Sequence, residues 1–155
     1  MDRWSGFFST IAGVASALLA VAFVTFQLKI DVWRGGGRLR HLAALFTLWE
    51  LGAPLLIALI LAMPAHPWRV AAILTGTIGL AMLITHWVLY AGTAESDRSP
   101  FDQKQFQLSF VSLATFGGMA GAGLTGEQPG LYLLASLSIW SLISGTYEAW
   151  IYLEP

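Results

Sequence analysis

Residues 42–63 read LAALFTLWELGAPLLIALILAM, an apolar run with one charge, Glu50, and a proline four residues beyond it, Pro54. A helix rises 1.5 Å per residue, so about 20 such residues cross the hydrocarbon core of a bilayer. An ionised carboxylate at that depth costs about 2.5–3.5 kcal/mol on insertion scales, and such groups face a partner, a bundle interior or water. Pro54 has no amide hydrogen for the carbonyl four residues earlier, and that carbonyl belongs to Glu50. One residue thus offers a free backbone oxygen and a carboxylate at the same level, with Gly52 adding flexibility beside them. A proton, a hard cation or a water chain would suit such a place.

The rest of the chain repeats the apolar theme. Of 155 residues, 56% are hydrophobic and 11% charged, and the mean hydropathy is +0.67. Soluble domains carry roughly 25% charged residues, so the lipid bilayer is the expected solvent. A net charge of −1 gives no basic footprint for nucleic acid. With no cysteine, disulfides, thiolate metal sites and thiol nucleophiles are excluded. The opening MDRWSGFF lacks the basic leader of a secretory signal and reads as the start of a membrane helix.

Five runs reach spanning length, at about 5–28, 42–63, 68–91, 106–126 and 130–153. The separators are KIDVWRGGGRLRH, the double-proline turn MPAHPW, the polar GTAESDRSPFDQK and the breaker GEQPG. The expected fold is all-α: one transmembrane domain over residues 1–155, a polytopic bundle of five helices. Lys29, Arg34, Arg38, Arg40, Arg98 and Lys104 lie in the first and third loops, against Arg3 and Arg69 on the other side. Six against two places those loops inside, the N-terminus outside and the C-terminus inside. Trp4, Trp33, Trp68, Trp87 and Tyr152 fall near run ends, as interfacial aromatics do.

Three ionisable residues lie well within the runs. Glu50 is about 12 Å from the inner end of its helix, and His86 and Glu148 are each about 8 Å from theirs. Lysine and arginine alone set the orientation, yet all three fall in one half of the membrane. Each heads a small or polar stripe at helical spacing: Ala43, Thr47, Glu50, Pro54; Thr75, Gly79, Met82, His86; Ser138, Ser141, Gly145, Glu148. The candidate ion pathway or gate therefore comprises Glu50, His86 and Glu148, with Pro54, Thr47 and Ser141. The competing reading is a buried polar clasp that holds the bundle. For His86, a structural hydrogen bond is the simpler role, and three scattered groups make no metal site.

The fourth run contains GAGLTG, residues 121–126, which matches the dinucleotide fingerprint G-x-G-x-x-G. It follows no strand and opens no soluble helix, so it is rejected. Gly117 with Gly121, and Gly118 with Ala122, are instead small-xxx-small pairs suited to close helix packing. The first run has a matching stripe of Ser9, Gly13, Ser16 and Ala20, within a subunit or between subunits. WRGGGRLRH lacks the phosphate-loop pattern, and its arginines are topogenic or meet lipid headgroups. HExxH and GxSxG are missing and no serine stands in a catalytic pattern, so no enzyme and no cofactor are expected.

In outline, five spans, seven tryptophans and the ending SIWSLISGTYEAW resemble the TspO translocator family. That family's tryptophan- and proline-rich ligand motif is absent after the first helix, where WRGGGRLRH stands. The resemblance implies a hydrophobic-ligand binder. The residues themselves point to a small homo-oligomeric channel or ion pathway for ions or protons, in the plasma or inner membrane. A non-transporting assembly subunit is the other alternative.

Overall fold

The computed structural model describes residues 2–28, 37–63 and 67–152, with side chains from Trp4 onward. Lys29, Trp33, Arg34, His66 and the last three residues lie outside the described residues. Five long helices follow one another: α1 (Asp2–Leu28), α2 (Gly37–Leu61), α3 (Trp68–Gly92), α4 (Pro100–Ala122) and α5 (Glu127–Ile151). A single 3₁₀ turn, Glu95–Asp97, lies between α3 and α4. Among the described residues there is no strand.

Among the described residues four helices are long and apolar enough to cross a membrane: Trp4–Leu28, Gly37–Leu61, Trp68–Gly92 and Glu127–Ile151, each of 25 residues. The protein is thus a helical membrane protein in contact with lipid. The remaining helix, α4, has comparable length but opens with PFDQKQFQ. The polar stretch expected to be a loop there is already helical. Its start is fixed locally: Ser99 caps the helix, accepting from the Asp102 amide while Asp102 accepts from the Ser99 amide at 2.9 Å. Pro100 occupies the first turn, where no amide hydrogen is needed. The helix stops at Ala122, four residues short of the expected end. Similarly, α2 begins at Gly37, whose φ of +69° is natural only for glycine, rather than at Leu42.

The hub is α2. It packs on α1, α3 and α5 and lightly touches α4, while α4 joins α3 and α5. Its buried positions accordingly run round most of its circumference, from Ala43 and Phe46 to Ile57 and Ile60. The core beyond Pro54 is apolar: Ile57, Leu83, Phe116, Met119 and Leu134 are essentially inaccessible. There α3 and α4 approach most closely. A Cβ on Gly76 would meet the Ala120 amide and stand 2.7 Å from the Phe116 carbonyl, and one on Gly79 would enter the Phe116 ring.

The small-residue stripes lie elsewhere. Around Gly13, Gly117 and Gly121 nothing stands within 4 Å of an added Cβ, whereas Gly118 meets Leu137 of α5 at 2.8 Å. The Ser9, Gly13, Ser16, Ala20 face of α1 is exposed; its packed face is Phe8, Ile11, Ala15, Ala22 and Phe26. Within the chain, Gly76 and Gly79 carry the close approach, and these two had not stood out as a packing seam.

Candidate functional site

Glu50 sits at the centre of the acid-bearing half, fully enclosed at 0% exposure. Its position follows from α2, whose two faces are both covered by neighbours at this level. Oε1 accepts a hydrogen bond from Ser112 of α4, and Oε2 accepts one from Ser144 of α5 at 3.0 Å. The backbone oxygen left free by Pro54 accepts from Ser141 of α5 at 2.7 Å. One residue therefore ties α2 to both α4 and α5, using side chain and main chain together. The fit depends on Gly145, where a Cβ would stand only 3.0 Å from the Glu50 Cβ and from Leu51.

A second acid lies alongside. Glu148, 2% exposed, accepts from Thr47 of α2 at 2.8 Å and feels the charge of Glu50. Thr47 and Glu50, one turn apart on α2, thus face Ser144 and Glu148, one turn apart on α5. Toward the helix ends the polar groups continue. Tyr152 lies beside Thr47 and within electrostatic reach of Glu148, Asp102 and Arg40. Its ring packs edge-on against Phe101 at 4.8 Å, and the Arg40 guanidinium lies 5.6 Å from the Phe101 ring centre.

His86 is buried, but its electrostatic neighbour is Asp102 rather than the acid pair. Among the described residues its Nδ1 has no hydrogen-bond partner, nor does Nε2 of the equally buried Gln105. Trp87, next to His86, donates to Ser109 of α4 at 2.6 Å. The structure therefore brings Glu50, Glu148, Thr47 and Ser141 into one cluster with Pro54 behind them, and sets His86 beside it.

Sequence reasoning missed Ser112, Ser144 and Asp102. A helical-spacing signal existed for two of them: Ser112 follows Ser109 and precedes Thr115, and Ser144 lies four before Glu148. Asp102 was read as loop because its helix was expected to start later.

Chemically, the cluster is two carboxyls ringed by hydroxyl donors. Among the described residues no group of His, Asp or Glu could hold a metal ion. Among the described residues neither acid makes an ion pair, and both side chains are buried. Compared with protein-family models, curated proteins and solved structures, the chain matches none.

Proposed function

We propose that this is a small proton-pathway protein of the cell membrane, with Glu50 and Glu148 as its proton-exchanging pair. The observation that carries the reading is their meeting from two helices, at 0% and 2% exposure, with hydroxyl donors and, among the described residues, no cation bonded to either. Burying two acids beside each other is costly, and proteins keep such groups at membrane depth chiefly for function. The hydroxyls of Thr47, Ser112 and Ser144 both donate and accept, as a relay requires. Tyr152, Asp102 and Arg40 form its polar approach from the helix ends. His86 stands beside that approach as a pH-sensing or gating group.

In this reading α4 also crosses the membrane, since its polar first turns lie at the Tyr152 end and its remainder is packed between α3 and α5. Five spans then put the N-terminus outside and the C-terminus inside, with the arginine-rich ends facing the cytoplasm. The protein works as a homo-oligomer. The exposed small stripe of α1 and the open space at Gly117 and Gly121 suit contacts between copies.

The test is proton flux into liposomes containing the purified protein, followed with a trapped pH-sensitive dye. Wild type should carry flux, and Glu50→Gln should lower it at least tenfold, because an amide binds no exchangeable acid proton. Equal flux in the two proteins removes Glu50 from the pathway.

A second reading is favoured by one observation: both Glu50 carboxylate oxygens and its carbonyl have donors. On that reading the cluster is a clasp in an assembly subunit. Wild-type liposomes would then carry no flux above empty ones, and Glu50→Gln would act only on unfolding, by about 1 kcal/mol.

A further inference from the structure

At the opposite end of the bundle, α1, α2, α3 and α5 border an open hollow of about 770 Å³. Its walls are Trp4, Phe8, Ala58, Ala62, Trp68 and Leu131. Phe8, Ala58, Trp68 and Leu131 form its buried floor, while Ser5, Leu59, Ala62 and Gln128 are exposed, so the hollow opens at the surface. Its volume falls in the range of small-molecule and lipid-tail sites, about 300–1,000 Å³. The hollow exists because small residues stand where bulk would fill it: Ala58 and Ala62 on one wall, Gly6 and Ala12 on another. Trp4 closes one side through its edge-on contact with Tyr132 of α5 at 4.9 Å.

Charge at the rim narrows the occupant. Glu127 is exposed and belongs to the lining; among the described residues it is the one acid there. Arg69 is exposed too, its guanidinium 5.3 Å from the ring centre of Trp68, which forms a wall. Among the described residues the apolar slot thus has one anion in its lining and one cation stacked on a wall residue, near aromatic rings of the kind that sit at the headgroup level. The complementary molecule has an apolar chain and a zwitterionic head, with an ammonium for Glu127 and a phosphate for Arg69.

We propose that this cavity is a lipid site, selective for a phospholipid with a primary-ammonium headgroup, phosphoethanolamine in chemical terms. One acyl chain lies between α1 and α5 against Phe8 and Leu131. The phosphate pairs with Arg69, and the ammonium, with its three N–H donors, pairs with Glu127. A trimethylated choline head has the same charge without those donors, and a glycerol head has no cation. Selectivity therefore resides in the Glu127 carboxylate, and the apolar hold resides in the hollow.

The full chain, purified in mild detergent, would be given synthetic phosphatidylethanolamine, phosphatidylcholine or phosphatidylglycerol of identical chains. Retention would be read by native mass spectrometry and thermal stabilisation in parallel. Phosphatidylethanolamine should be retained best. Glu127→Gln should cut its advantage over phosphatidylcholine by about two- to fivefold, the scale of one exposed ion pair. Ala62→Trp, at an exposed position on the lip, should reduce retention of every lipid, and Ala58→Phe should do so from the buried floor. Equal retention of the three lipids, or an ethanolamine preference that survives Glu127→Gln, overturns the selectivity. Retention unchanged in Ala62→Trp overturns the site. A long-chain alkylamine that binds as well as the phospholipid and ignores Arg69→Gln would make the occupant an amphiphilic amine and reject the phosphate contact. All of these outcomes stand apart from proton flux, so the site and the acid pair fail or survive separately.

Discussion

The two halves of the bundle are held together by different forces. In the half that contains Glu50 and Glu148, hydroxyls cross from helix to helix: Ser112, Ser141 and Ser144 to Glu50, and Thr47 to Glu148. Past Pro54, the buried hydroxyls turn back on their own helices. Thr75 bonds the Ala71 carbonyl at 2.6 Å, Ser138 that of Leu134 at 2.7 Å, and Thr115 that of Val111 at 3.1 Å. There the helices meet by shape, with Gly76 and Gly79 set against α4 and Phe116 filling the space between. Lipid tails are as apolar as leucine, so burying apolar surface drives membrane helices together weakly. Close packing and interhelical hydrogen bonds remain. This chain concentrates its cross-helix hydrogen bonds in the acid half, beside the close fit at Gly145.

The comparison breaks most visibly at Gly76. In Gly76→Ala the new methyl meets backbone of α4, which cannot swing aside as a side chain could. Reversible unfolding in mixed micelles should show a loss of about 3 kcal/mol, at the upper end of overpacking costs. A loss near zero would mean that shape does not hold this half.

In the acid half, Ser141→Ala sharpens the contrast. It orphans the Glu50 carbonyl that Pro54 already denies a helical partner. The expected loss is about 1 kcal/mol by the same unfolding measurement, since interhelical hydrogen bonds in membranes are individually modest. If this substitution costs more than Gly76→Ala, the division of forces proposed for the two halves is reversed.

The smallest effect is expected at Gly117→Ala, where an added Cβ has nothing within 4 Å. Unfolding of dispersed protein should shift by less than about 0.5 kcal/mol. Cross-linking of copies in liposomes, measured on the same variant, should fall if this open face joins subunits. Unchanged cross-linking would move any such joint to another face.

Helix–helix pairing also explains how legible the site was. Pro54 and Glu50 stand in one register of one helix, so the freed carbonyl was readable from spacing alone. Ser141 was on the right stripe of its helix, yet nothing in spacing says which residue it would reach. His86 shared the depth of the acids, yet its electrostatic partner is Asp102, because depth fixes height along a bundle and leaves the angular position of each helix open. Gly117 and Gly121 looked like a seam and have open space around them, while Gly76 and Gly79 make the contact. A small-xxx-small pattern permits close approach without naming the partner.

By itself the sequence determined an all-helical chain built for lipid, five long helices along it, and the expense of an acid at position 50. Those are local or solvent properties: apolar length, proline chemistry, and the cost of an ionised group away from water. Tertiary structure alone decided that Glu148 would lie beside Glu50, that Ser112 and Ser144 would bond it, and that a hollow would open between Trp4 and Trp68. Each of these depends on how neighbouring helices are rotated about their axes, and that rotation is set by contacts between residues far apart in the chain.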